Sequence, residues 1–205
     1  MRTMIRGSML LAGAVLFVSI GIRAQVNPSA SRHSTASADL GVTFSLERAQ
    51  IVPGRCCFWL QGGGLDAAVT LGKGFGVAAS VTGDHSTDAL PGVDVNKIAA
   101  LVGPRYTFTV WTSRSQPADE RRMQIFGQAL FGGVHGFNGL YPAPGGATTN
   151  AGSFALEAGG GLNLYFSKHV GLRMPEVEYV RTALPNNGSN TQHDLRMAFG
   201  MTFHF

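Results

Sequence analysis

Three groupings of side chains in this 205-residue chain are of the types that chemistry requires. Asp84-His85-Ser86 sets an acid, a base and a hydroxyl side by side. These are the parts of an acyl-transfer or deacylating centre, where an imidazole takes the proton of an attacking hydroxyl. Adjacency along the chain does not orient a His on a Ser in space, and the plainer reading of the trio is a solvated loop. Cys56-Cys57 holds both cysteines of the chain. Adjacent cysteines close only a strained ring, so a free or intermolecularly linked pair is expected rather than an intrachain staple. His33, His135, His169, His193 and His204 show no paired metal-ligand spacing, so neither a metal nor a cofactor is expected. The third grouping is a scatter of charges, Asp66, Arg105, Glu157, Arg173, Glu176, Glu178 and Arg196. Their meaning depends on the elements that position them.

The last stretch of the chain shows what those elements are. From Leu195 to Phe205, Leu195, Met197, Phe199, Met201, Phe203 and Phe205 alternate with Arg196, Ala198, Gly200, Thr202 and His204. Strict period two describes a strand with one apolar and one wet face. Eleven residues at about 3.3 Å each, tilted near 40°, cover the roughly 25 Å apolar band crossed by a transmembrane barrel strand.

The same alternation recurs upstream. Leu40, Val42, Phe44 and Leu46 share one face of a first strand that begins at Asp39. A second strand, from Phe58 to Leu71, sends Trp59, Leu65, Ala67, Val69 and Leu71 outward and Gly62, Gly64, Asp66 and Thr70 inward. The turn Gly72-Lys73-Gly74 leads to a third strand ending near Asp84, followed by an expected polar loop over 85–95. The fourth strand carries Ile98, Val102, Tyr106, Phe108 and Val110 on one face and Arg105 on the other, with a bulge expected at Pro104. In the fifth, Ile125, Phe126, Leu130 and Phe131 fall on both faces, which a bulge would explain. After a loop over 138–152, the sixth strand sends Phe154, Leu156, Leu162 and Leu164 outward and Glu157, Gly159, Gly161 and Asn163 inward. The parity of the seventh slips at Pro175, where a bulge turns Glu176 and Glu178 inward. Gly62-Gly63-Gly64-Leu65-Asp66 and Gly159-Gly160-Gly161-Leu162-Asn163 form a faint internal repeat. The count is eight strands, with short turns and longer polar loops in alternation. The expected class is all-β, an eight-stranded antiparallel up-and-down transmembrane β-barrel.

Ahead of it, Arg2 and Arg6 precede an uncharged apolar run from Ser8 to Ile22. At about fifteen residues the run falls short of the ~20 that span a membrane, and it reads as a secretory signal over 1–24. Residues 25–38 are Ser-, Ala- and Thr-rich and read as a flexible periplasmic lead-in, with the barrel domain over 39–205. Of sixteen basic residues, Arg2, Arg6 and Arg23 leave with the signal, so thirteen bases face twelve acids. The mature chain is close to neutral and has no clustered basic patch with interleaved aromatics, which argues against a nucleic-acid partner.

Over Asp39 to Phe205, the succession of Gly103-Pro104-Arg105, Gln128-Ala129-Leu130-Phe131-Gly132-Gly133, the stretch from Arg173 to Arg181 and the aromatic ending resembles the outer membrane protein A-like and X-like family of eight-stranded barrels. The resemblance implies a bacterial outer-membrane location, contact with its lipid, and a barrel domain without the peptidoglycan-binding domain of some relatives. It further implies that Phe199, Met201, Phe203 and Phe205 form the assembly signal read by the barrel-assembly machinery. The expected unit is a monomer.

Three functions fit these readings: a structural, surface-interacting or weakly conducting porin-like barrel; an outer-membrane enzyme acting on lipid or peptide from Asp84-His85-Ser86 at the extracellular rim; and a secreted soluble β-barrel that binds a small ligand. The first, non-enzymatic reading takes the seven scattered charges as a lumen ion-pair network, with Glu178 and Arg196 as its best single pair. Detergent-dependent extraction with a heat-modifiable gel shift is expected for either membrane reading. Recovery of the mature protein in the aqueous fraction would rule both out.

Overall fold

The computed structural model describes residues 36–49, 57–90, 93–114, 120–143, 146–186 and 190–205. The expected signal over 1–24, most of the lead-in over 25–38, and Cys56 lie outside the described residues. Among the described residues eight strands follow one another: β1 (Ser37–Ala49), β2 (Phe58–Gly72), β3 (Phe75–Leu90), β4 (Val93–Arg114), β5 (Glu120–Ala143), β6 (Gly146–Tyr165), β7 (Val170–Thr182) and β8 (Gln192–His204). Each pairs antiparallel with the next, and β8 closes on β1 from Asp39 opposite His204 to Arg48 opposite Leu195. Closure leaves no free sheet edge, the condition for placing a β-sheet in hydrocarbon.

The alternation sets the two faces. Leu40, Val42, Phe44 and Leu46 on β1 and Leu195, Met197, Phe199 and Met201 on β8 are exposed on the outer wall, while Asp39, Ser45, Glu47, Asp194, Arg196 and Thr202 between them are buried. Phe44 meets Phe199 across the closing seam with ring centroids 5.3 Å apart, and Phe75 meets Tyr106 at 4.7 Å, both pairs tilted. Trp59, at the loop end of β2, and Trp111, near the opposite end of β4, both face outward. Phe199 and Phe205 are exposed, and Phe203, half-buried, shares their side of β8.

Register explains the parity of the irregular strands. Around Pro175 the ladder shifts between Arg173 and Glu176, leaving Met174 and Pro175 both exposed and turning Glu176 and Glu178 inward. The bulge expected at Pro104 is absent. Val77 pairs with Pro104, and the β4–β5 register runs unchanged from Val102 opposite Phe131 to Arg105 opposite Gln128. Proline forfeits only its own N–H, and at Gly103 the Ala129 carbonyl comes so close that a Cβ would collide with it. The shift in β4 lies instead between Thr109 and Trp111. Nor does β5 bulge between Arg122 and Phe137, where its register against β6 is constant. Its mixed pattern arises because two apolar side chains, Phe126 and Leu130, are buried in the lumen.

Two expected loops are largely strand. The β3–β4 ladder continues through His85 opposite Asn96 to Leu90 opposite Val93, and the β5–β6 ladder through Tyr141 opposite Thr148 to Ala143 opposite Gly146. Beyond the apolar band the outer face of a hairpin meets water instead of lipid, so it need not be apolar and the sequence does not mark its extent. Likewise β4 runs on to Arg114, and β5 begins at Glu120.

Met197, outward and near mid-height of β8 opposite Leu46, tests the face assignment. Met197→Arg is expected to cost about 2 to 4 kcal/mol of membrane stability, read by unfolding from lipid vesicles. Unchanged stability would overturn the outward placement.

Candidate functional site

Period two delivers charged residues from all eight strands to one narrow interior, where they form layers. Nearest the chain termini, Tyr165 Oη donates to Asp39 Oδ1 at 2.9 Å, His204 Nδ1 lies 2.7 Å from the same oxygen, and the Arg122 guanidinium sits 4.2 Å over the Tyr165 ring.

The next layer is built around Phe126. Arg105 and Arg173 stack on its ring, their guanidinium carbons 4.5 and 4.8 Å from the centroid. Two cations against one aromatic ring account for an apolar side chain among charges. Both arginines share Asp66: Arg173 Nη1 donates to Oδ1, and Arg105 Nη1 and Nη2 approach Oδ2 at 3.4 Å. Arg173 Nε donates to Asn163 at 3.0 Å, and Glu176 lies 3.6 Å from its Nη1. Gln128 links this layer to the one above. Its Oε1 accepts from Arg105 Nε at 2.8 Å, and its Nε2 donates to Glu178 at 2.7 Å. Two glycines make the room. A Cβ on Gly41 would collide with Asp66 and Arg173, and one on Gly161 would lie 2.9 Å from the Phe126 ring.

Arg196 organises the layer above. Its Nε and Nη2 donate to Glu47 Oε2 at 3.2 and 3.0 Å, Nη2 reaches Asp84 at 3.3 Å, and Nη1 pairs with Glu157 and lies 3.8 Å from Glu178. Lys97 pairs with Glu47 and lies 4.0 Å from Asp84, which also accepts from Ser45 Oγ at 3.1 Å. In these two layers six carboxylates (Glu47, Asp66, Asp84, Glu157, Glu176, Glu178) face four cations (Lys97, Arg105, Arg173, Arg196), all buried. Each cation is therefore shared. A cavity of about 20 Å³ remains between the layers, bordered by Thr43, Ser80, Gln128, Glu176, Glu178 and Arg196, room for one water.

Toward the loop end the lumen turns apolar. Leu130, Val134, Tyr141, Ala155 and Leu184 are buried together. Leu184 is pinned there by Gln192, whose Oε1 accepts from the Leu184 N–H at 3.0 Å and whose Nε2 donates to its carbonyl at 2.8 Å.

All seven charged residues singled out in the sequence lie buried in the lumen. Glu178 and Arg196 are register partners, but theirs is the longest of the four carboxylate contacts of Arg196, because Glu178 is turned toward Gln128. Glu47, Asp84, Lys97, Gln128 and Phe126 also belong to these layers, although the sequence did not single them out as lumen partners. Parity could have found Lys97, eight residues from Arg105 and so on the same face. Parity also separates the would-be catalytic trio. Asp84 and Ser86 are buried on the inner side, while His85 between them bonds across the outer side to Asn96 Oδ1 at 2.7 Å. Cys57 is disulfide-bonded, not free. Among the described residues no group of three or more His, Cys, Asp or Glu side chains is placed to hold a metal ion.

This closed barrel, apolar outside and charged within, has the fold of the eight-stranded outer-membrane barrels. The neisserial surface protein A structure is similar over 83% of this chain and 97% of that one, at 12% identity and a TM-score of 0.57. Ail, the attachment invasion locus protein of Yersinia pestis, aligns over 83% and 99% at 13% identity and 0.48, and OprG from Pseudomonas aeruginosa over 84% and 97% at 10% and 0.45. No family model and no curated protein sequence matches the chain.

The geometry ranks the pairs. A double-mutant cycle on Glu47→Gln and Arg196→Gln, read by unfolding in detergent, is expected to give a coupling above the ~1 kcal/mol ceiling of exposed pairs. The cycle on Glu178→Gln and Arg196→Gln is expected to give less. Additive effects in the first cycle would refute the arrangement around Arg196.

Proposed function

We propose that the chain is a bacterial outer-membrane barrel with a structural or surface-interacting role, its lumen blocked by the ion-pair network and any conductance small or intermittent. The observation that carries this reading is the continuous side-chain filling of the interior, from Asp39 and Tyr165 through the Phe126 and Arg196 layers to the Leu184 cap. An eight-stranded barrel has an interior just wide enough for side chains to fill it, and this one holds bulky residues at every level. Unpaired, such charges would be costly in a narrow interior; shared among several partners, they are held in place.

The remaining parts fit the same reading. Residues 1–24 direct export and 25–38 lead in to the barrel of 39–205. Outer-membrane lipid is the solvent of the exposed apolar wall, and Phe199, Met201, Phe203 and Phe205 on β8 serve as the signal to the barrel-assembly machinery. The barrel is complete in one chain and acts as a monomer. The outward apolar faces speak against a soluble ligand-binding barrel, whose apolar residues would line the interior. The separation of His85 from Ser86 removes the foothold for an enzyme. The long β3–β4 and β5–β6 hairpins supply the surface that a partner outside the cell would meet.

Reconstituted in a planar bilayer, the protein is expected to give small, intermittent current steps. A large, steady porin-like conductance would overturn the blocked lumen.

A further inference from the structure

The charges of five neighbouring strands are segregated by sign. On β6, β7, β8, β1 and β2 every acidic side chain of the described residues points inward: Asp39, Glu47, Asp66, Glu157, Glu176, Glu178 and Asp194 are all buried. The outward positions of the same strands carry no acidic side chain, yet they carry Arg48, Arg181 and His193, all exposed. These three are contiguous. Arg181 is the register partner of His193, and Arg48 is the partner of Leu195, which sets it diagonal to His193, about 7 to 8 Å away. Tyr179, outward and one step lower, holds His193 Nδ1 through its hydroxyl, which orients the ring and leaves Nε2 as its other hydrogen-bonding position. Arg181 has no ion-pair partner among the described residues.

The height of the group decides what it meets. Val170 pairs with Phe203 at the terminal end of the β7–β8 ladder and Arg181 with His193 at the loop end, ten residues further along β8. At about 3.3 Å per residue and a tilt near 40°, that separation is about 25 Å, the height of the apolar band. Between the two ends the outer wall is Leu172, Met174, Val177 and Tyr179 on β7 and Leu195, Met197, Phe199 and Met201 on β8, all apolar or aromatic and exposed. Arg48, Arg181 and His193 therefore stand where acyl chains give way to headgroups, on the side away from the chain termini.

We propose that Arg181 and His193, with Arg48 beside them, form a docking site for the phosphate-bearing headgroup of an outer-leaflet lipid, whose acyl chains lie along the β7–β8 wall. A guanidinium presents a planar fork of donors that matches phosphate oxygens, and the apolar strip beneath it takes the chains of the same molecule. A soluble anion would use the first feature and leave the second idle, which favours a lipid. The inference rests on the outer-membrane reading above.

The test is native mass spectrometry of the full-length mature barrel, wild type and Arg181→Gln/His193→Gln, each first checked for the heat-modifiable form. The probes are bis-phosphorylated lipid A, the same lipid with its phosphates removed, and inorganic phosphate. The wild type is expected to retain the phosphorylated lipid at least about fivefold better than the variant, the factor one cation commonly supplies at an anionic membrane surface. It should show no comparable retention of the dephosphorylated lipid. Equal retention by wild type and variant, equal retention of the two lipids, or displacement of the lipid by inorganic phosphate would each overturn the site while leaving the barrel intact. A wild type that yields no heat-modifiable form would instead bring down the membrane reading, and this inference with it.

Discussion

Closure of β8 on β1 is the interaction on which everything else depends. Antiparallel pairing from Asp39 opposite His204 to Arg48 opposite Leu195 satisfies the last open edge. Without it, two rows of backbone donors and acceptors would face hydrocarbon, at several kcal/mol for each unsatisfied group. Closure also divides the surface in two. A strand in an open sheet can leave one face loosely specified, but in a closed barrel of eight strands each residue faces either lipid or a lumen only side chains wide. A slip of one residue would carry Arg196 into the membrane and Met197 into the ion-pair layers.

That confinement gives the interior its chemistry. A buried guanidinium is tolerated when its donors are met, and Arg196 meets its own by drawing carboxylates from β1, β3, β6 and β7. The network is thus also a set of ties across the barrel, joining strands that share no ladder. Phe126 does for the lower layer what a carboxylate does above, offering a ring face to Arg105 and Arg173 where another acid would have added to an existing excess of negative charge. The inward glycines belong to the same economy of space. Gly41 and Gly161 are absences that let Asp66, Arg173 and Phe126 fit. The faint likeness of the Gly62–Gly64 and Gly159–Gly161 triplets reflects a shared demand, because Gly62 clears Asp84 as Gly161 clears Phe126.

The outer wall follows the opposite logic. Between the membrane edges it carries apolar side chains, and its few charges are gathered at the rim. The sign of those charges on β7, β8 and β1 is uniform, because the acids of the same strands have gone inward. The wet core and the basic rim are two consequences of one alternation.

Much of this was legible in the chain alone. Period two on β1, β6 and β8, the eight-strand count, the parity slip at Pro175 and the inward direction of the seven charges all follow from a membrane that punishes any outward polar residue at mid-height, so the pattern must be written residue by residue. The extent of the β3–β4 and β5–β6 hairpins was hidden, since an outer face that meets water instead of lipid imposes no such pattern. The phase of β5 misled because a lumen-facing Phe126 or Leu130 looks like a lipid-facing one when seen without its partners. What the sequence determined by itself was which face each residue takes, a property of the local backbone. Which residue meets which was decided only in three dimensions. Asp84 and Arg196 lie 112 residues apart on strands that share no ladder, Arg196 meets its register partner Glu47 on β1 more closely than its register partner Glu178 on β7, and His85 turns its back on Ser86. Barrel curvature and strand stagger bring together side chains from strands that never touch along their ladders, and no spacing within one strand records that.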